Sequence, residues 1–236
     1  MKMKIAMLVG AGALMILTTA NAQNVPAPSQ SASSADAVGR TTFGVRAGVN
    51  FQNITGKYGN GGKMKNDLIP GFNVGVNAEI PIAKDFYVQP GLLLTTRGAK
   101  YDVASQPYDQ TVHLVYLELP ANLVYKPMLG TGRLIAGFGP YIDFGLGGKI
   151  KYSGEGAPAD RTVKFSNTQS DPAHNVYYRR VGAGANLLFG YEFANKLSFQ
   201  LNTQLGLTNI NPKDNTVNSD ATAKHVGFGV SAGYRF

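Results

Sequence analysis

The sequence predicts an all-β fold: an eight-stranded antiparallel up-and-down transmembrane β-barrel with short periplasmic turns and longer extracellular loops. Three observations carry this. Apolar residues recur with a period of two over most of the chain beyond Thr42, which gives a strand one greasy face and one small or polar face. The segments joining these strands alternate strictly between short and long, as the two rims of an outer-membrane barrel require and a soluble sandwich does not. Finally, charged residues make up only 15% of the chain and glycine occurs 29 times in 236 residues, against roughly 25% charge and roughly 7% glycine in soluble domains.

The first element is an export signal. Lys2 and Lys4 precede an apolar or small run from Ile5 to Leu17, and Ala20-Asn21-Ala22 supplies an A-x-A cleavage pattern before Gln23. Residues 1–22 therefore read as a secretory signal peptide, because the apolar run is shorter than the roughly 17 to 25 residues a membrane-spanning helix needs. Residues 23–40 (QNVPAPSQSASSADAVGR) are rich in Ser, Ala and Pro and poor in large apolar groups, so they form a flexible linker. Residues 41–236 are assigned to the barrel, in the cell outer membrane.

The strands follow in order at about 42–54, 70–81, 86–101, 110–126, 132–152, 175–193, 197–210 and 223–236. The last is the clearest: Val226, Phe228, Val230, Ala232, Tyr234 and Phe236 alternate with Gly227, Gly229, Ser231, Gly233 and Arg235. The first repeats the pattern with Phe43, Val45, Ala47, Val49 and Phe51, the second with Phe72, Val74, Val76, Ala78 and Ile80, and the seventh with Leu197, Phe199, Leu201 and Leu205. The middle strands are less regular, and Leu93, Val124, Ile135 and Leu188 break the parity. Connections at 82–85, 127–131 and 194–196 are short; those at 55–69, 102–109, 153–174 and 211–222 are long and rich in Gly, Asn, Asp, Ser and Lys. A tilted strand climbs roughly 2.5 Å per residue, so about ten residues cross an apolar band of roughly 25 Å. Every strand is long enough, and 132–152 and 175–193 are expected to project beyond the bilayer. Aromatic residues at the strand ends, among them Phe43, Tyr125 and Phe193, suit the two membrane interfaces.

The leader, the eight alternating strands, Tyr116-Leu117-Glu118-Leu119-Pro120, Gly137-Phe138-Gly139-Pro140-Tyr141 and the terminal Gly233-Tyr234-Arg235-Phe236 together resemble the small outer-membrane β-barrel domain family, which includes PorT-like and porin-family proteins. The resemblance covers about 40–236. It implies an integral outer-membrane protein whose Tyr234 and Phe236 form the signal read by the outer-membrane assembly machinery. Through the PorT-like members it also implies, as a second reading, a component of a secretion or assembly complex.

An eight-stranded barrel has a lumen that its own side chains fill. On the alternation above, Arg46, Glu79, Arg97, Glu118, Arg133, Asp143, Arg180, Glu192 and Arg235 face inward, and charges so confined must pair. The expected pairs are Arg46 with Glu79, Arg97 with Glu118, and Asp143 with Arg180, forming a polar plug; the rival reading is a narrow channel lined by charge.

The absence of cysteine excludes disulfides, cysteine-ligated zinc, iron–sulfur clusters and thiol catalysis. A lipid-modifying rim enzyme would need a nucleophile with its base. The three histidines, His113, His174 and His225, show no such pattern and read as solvated rim residues that do not form a metal set, so no catalytic centre, metal or cofactor is expected. Gly59-Asn60-Gly61-Gly62-Lys63 lacks phosphate-loop spacing and a following helix. The chain is basic, with 22 Lys plus Arg against 14 Asp plus Glu, yet its lysines lie mainly in loops, which points away from nucleic acid. Loop lysines, Lys63, Lys65, Lys149 and Lys151 among them, suit lipopolysaccharide phosphates. The sequence thus predicts a monomer with a structural or interaction role, in contact with outer-membrane lipid and lipopolysaccharide, with loops 55–69 and 153–174 as the surface offered to a protein partner.

Overall fold

In the computed structural model the described residues are 39–59, 61–101, 107–166, 176–212 and 221–236. The expected signal peptide, most of the linker, His174 and much of the loops around 102–109, 153–174 and 211–222 lie outside them. Twelve strands occur among the described residues: β1 (Thr42–Lys57), β2 (Asn66–Asp67), β3 (Ile69–Ala83), β4 (Phe86–Tyr101), β5 (Tyr108–Tyr125), β6 (Met128–Leu129), β7 (Gly132–Gly154), β8 (Arg161–Phe165), β9 (Val176–Tyr178), β10 (Val181–Glu192), β11 (Leu197–Gly206) and β12 (Thr222–Arg235). Eight of them pair antiparallel in the order β10-β11-β12-β1-β3-β4-β5-β7, and β7 pairs back onto β10. The ring is closed, so none of the eight has a free edge, the condition for placing a sheet in hydrocarbon.

Sidedness follows the sequence period and is opposite to that of a soluble protein. On β1, Phe43, Val45, Val49 and Phe51 are exposed while Asn50 and Gln52 are buried. The same holds around the ring, with Phe72, Val76, Leu119, Leu187, Leu201 and Val230 outside and Gln89, Asn122, Asn186 and Gln200 inside. Aromatic rings gather at both limits of this apolar band. Phe86 meets Tyr125 at a tilt, 4.7 Å between ring centroids, and Tyr234 meets Phe236 edge-on at 5.4 Å near the short turns, while Phe51 stacks on Phe228 at 5.5 Å toward the other end. The short turns are tight enough to need left-handed backbone at Asp85 (φ 62°), Gly130 (φ 63°) and Lys196 (φ 67°).

The parity breaks have specific causes. Val124, Ile135 and Leu188 are buried together with Tyr87 packed on them, an apolar layer inside the lumen; Leu93 is buried as well. On β7 one extra residue is inserted, since Tyr116 pairs Gly145 while Val115 pairs Gly147. Leu146 bulges outward, and the inward set passes from Tyr141 and Asp143 to Ile150, as a β-bulge requires.

Regular pairing also lapses along one diagonal of the wall. It is interrupted between Asn77/Gly91 and Ile80/Val88, between Pro90/Ala121 and Leu93/Glu118, and between Pro120/Tyr141 and Leu123/Phe138. Pro90, Pro120 and Pro140 sit in these gaps, and each lacks the N–H that a ladder needs.

Beyond the lipid band the order of polarity inside the ring changes. Ile54, Ala99, Val112, Leu114, Tyr116 and Ile150 form an apolar core with Val163 and Phe165 of β8 and Tyr178 of β9. β8 pairs antiparallel with β7 and parallel with β9. Phe165 reaches in to meet the Tyr116 ring at 5.4 Å, over Gly145, where a Cβ would stand 2.3 Å from the Phe165 ring. The segment expected as a free surface loop at 153–174 thus contributes a stopper over the mouth of the barrel. The expected strand at 175–193 is likewise divided, because the chain bends at Arg180 between β9 and β10.

Candidate functional site

The polar contents of the lumen form two charge-balanced groups. Nearest the short turns, Lys126 Nζ lies 2.9 Å from Glu79 Oε2 and 2.7 Å from Glu192 Oε2. Arg235 completes the square, with Nη2 2.8 Å from Glu79 Oε1 and Nε 3.5 Å from Glu192 Oε2. Arg235 also donates to Asn77 Oδ1 at 3.1 Å, and Gln89 donates to Glu79 Oε1 at 3.0 Å. Two cations meet two carboxylates, Gln89 takes up a further lone pair of Glu79 and Asn77 accepts an N–H of Arg235, so the charges are compensated within the group. The apolar layer of Val124, Ile135 and Leu188 lies next to this group, and Tyr87 packs both on that layer and under Lys126, its ring centroid 5.6 Å from the ammonium.

The second group is centred on Arg97, which is ion-paired to both Glu118 and Asp143. Its guanidinium lies 4.9 Å from the Tyr141 ring centroid and 5.3 Å from that of Tyr116, an arrangement that favours a delocalised cation in low dielectric. Gln204 donates to Glu118 at 2.7 Å, and Gln52 donates to Gln204 at 3.1 Å. Arg46 lines a cavity of about 20 Å³ with Asn50, Gln52, Asn73 and Gln204. That is room for about one water molecule. Small inward residues make the space these side chains need: a Cβ at Gly182 would stand 2.3 Å from Asp143 Oδ1, and one at Gly184 2.4 Å from the Tyr141 hydroxyl.

Several sequence expectations are corrected. Arg46 does not pair with Glu79: Glu79 is opposite Thr42 and Arg46 opposite Gly75, an offset of about 13 Å along the strand, and Glu79 is held by Lys126 and Arg235 instead. Asp143 pairs with Arg97 rather than Arg180. Arg180 is exposed at the bend before β10, outside the inward set, and donates to the Phe165 carbonyl at 3.2 Å. Arg133 stands at the turn rim, 3.2 Å from Asp85 and donating to the Lys126 carbonyl at 3.0 Å. His225 is no rim residue; it is buried, with Nε2 3.1 Å from the Tyr116 hydroxyl. Lys126 was missed because it stands just past the end of β5, although its parity with Glu118, Asn122 and Val124 places it inside. Tyr116 and Tyr141 were missed because an aromatic in a strand reads equally well as a lipid contact.

His113 lies on the outer face of the projecting part of β5, and partial burial with Lys151 nearby holds its imidazole below the usual histidine range. Among the described residues no group of three His, Cys, Asp or Glu is placed to hold a metal ion. Tyr234 and Phe236 both lie exposed on the outer face at the turn end.

The family profile described as outer membrane protein beta-barrel domain matches residues 21–211. No curated protein matches the chain. Similar solved structures include Ail, the attachment invasion locus protein of Yersinia pestis, crystallised with the heparin analogue sucrose octasulfate (17% identity, 83% of this chain and 99% of that one, TM-score 0.39). Also similar are a major outer membrane protein of Thermus thermophilus (16%, 84% and 100%, TM-score 0.43) and OprG of Pseudomonas aeruginosa (13%, 83% and 95%, TM-score 0.41).

Proposed function

Since this chain belongs to the outer membrane protein β-barrel domain family, we propose that it is a plugged, non-conducting barrel whose work is structural or interactive and is done at its loop end. The carrying observation is the filled lumen. Two charge groups, an apolar layer between them and an aromatic stopper above occupy the described lumen, and the cavity lined by Arg46, Asn50 and Gln52 is about 20 Å³. A path for ions or solutes needs a continuous wetted bore and weakly held charges. Here each central carboxylate is committed to a buried cation.

The reading is also non-catalytic. His225 is committed to Tyr116 inside the barrel, so it does not face a substrate at the outer rim. Export by a cleaved leader and recognition of Tyr234 and Phe236 by the assembly machinery belong to the same proposal. Their exposed rings at the turn end suit recognition from outside the barrel.

Planar-bilayer recording tests it. The purified protein should insert without discrete conductance steps, while cross-linking in intact outer membranes should trap partners through the loop end. Reproducible single-channel openings would refute the plug.

A further inference from the structure

Above the lipid band, one sector of the outer wall carries a grid of lysines. The segment 61–66 runs antiparallel to the end of β1: Lys57 bridges Lys63, Met64 N donates to the Gly56 carbonyl at 2.9 Å, and Asn66 Nδ2 donates to the Ile54 carbonyl at 2.6 Å. Continuing that register sets Lys65 opposite Thr55, while on the other side of β1 Thr55 pairs Lys224 and Lys57 pairs Thr222. Two rows result, Lys65–Thr55–Lys224 and Lys63–Lys57–Thr222. Met64 packs on the internal core and Ile54 and Ala223 are buried, which turns the four lysines outward, and all four are exposed. Like charges directly opposed across a ladder are destabilising, and among the described residues none of these lysines has an ion-pair partner. Among the described residues the acid bordering the grid is Asp67, on the row below, whose β-partner is Lys100. The lower lysine row stands four residues beyond the stacked Phe51 and Phe228 rings at the limit of the apolar band, or about 10 Å higher along a tilted strand. That is headgroup depth.

We propose that Lys57, Lys63, Lys65 and Lys224 form a docking site for the phosphorylated headgroup of an outer-leaflet glycolipid. The chemistry is that of several ammonium groups converging on phosphate oxygens, with Thr55 as a neutral hydroxyl between them. The site rests on the reading that the loop end of the barrel meets the outer leaflet. A second lysine set, Lys149 and Lys151 of β7 with Lys164 of β8, is also exposed above the band but belongs to another sector of the ring and serves as the comparison.

The test uses the detergent-solubilised protein and three probes: diphosphorylated lipid A, dephosphorylated lipid A and inorganic phosphate, with binding followed by native mass spectrometry and by titration at two salt concentrations. The variant K57Q/K63Q/K65Q/K224Q should bind diphosphorylated lipid A about tenfold or more weakly, K149Q/K151Q/K164Q should bind nearly as the parent does, and salt should weaken the parent's binding. Equal binding of dephosphorylated lipid A, inorganic phosphate binding as tightly as lipid A, or equal losses in both variants would overturn the site. Bilayer insertion of the same variants separates the two proposals. A fourfold variant that inserts and stays silent but keeps its lipid A overturns the site alone, whereas failure of the parent to insert overturns the reading beneath it.

Discussion

Replacing Lys126 by methionine probes the plug at its most connected point. The ammonium lies 2.9 Å from one glutamate and 2.7 Å from the other. At an effective dielectric constant near 20 each contact is worth about 6 kcal/mol before desolvation. Most of that offsets the cost of bringing the charges out of water, so the net loss on removing one partner should be about 3–5 kcal/mol. What dominates the loss is the pair of buried carboxylates left with Arg235 as their only cation. The double variant E79Q/K126M removes one charge of each sign and should recover a large part of it, giving a coupling of about 1–3 kcal/mol in a double-mutant cycle. Reversible urea unfolding in lipid vesicles, followed by circular dichroism, measures both. If K126M unfolds within about 1 kcal/mol of the parent, or the double variant is as unstable as the two single losses added together, the charges are not acting as a buried compensated group.

Other outcomes follow from the same geometry. Gly184→Ala should lower stability by about 1–3 kcal/mol through its collision with Tyr141, whereas Gly147→Ala, whose Cβ would meet nothing within 4 Å, should be close to neutral; equal effects in thermal unfolding would go against the packing argument. Amide exchange in nanodiscs should be faster at Leu92, Leu119 and Asn122, beside the proline-linked lapses in pairing, than at Val45 and Val49, and uniform protection would show that the wall has no weak seam. Lys151→Gln should raise the imidazole pKa of His113, which partial burial and, next to it, Lys151 hold down. Because that group is harder to protonate folded than unfolded, its contribution favours the fold above the ordinary histidine range and is lost as pH falls below it. NMR titration of the imidazole would show no change in K151Q if burial alone were responsible.

Much of this fold was legible in the sequence because a barrel in lipid repeats one simple signal. The period of two on β1, β11 and β12 survives intact, and on β3 it holds as far as the register shift between Pro81 and Ala83. Where reading failed, a second physical demand competed with lipid. Leu188 and Ile135 are apolar yet inward because the lumen holds an apolar layer beside its charges. The bulge at Leu146 changes the inward parity of β7 partway along, and no local residue preference announces it. Pairing partners were harder still: parity identifies an inward charge, but which charge it meets depends on the stagger between strands, and that is why Arg97 was matched with Glu118 while Arg46 was matched with the wrong carboxylate. Arg180 failed for another reason. Its parity would be inward if the strand continued through it, but the chain bends there to bring β9 and β8 over the mouth.

Hydrocarbon bathes the odd-numbered face of β1, and the even-numbered face lies in a packed interior. The chain has no cysteine, so single cysteines placed in turn from Val45 to Phe51 carry a spin label with no background. In bilayers the account predicts collision with dissolved oxygen at Val45, Ala47, Val49 and Phe51, and low access to both oxygen and a water-soluble nickel reagent at Arg46, Gly48 and Asn50. Nickel access at the odd positions, or oxygen access shared equally by both sets, would contradict it.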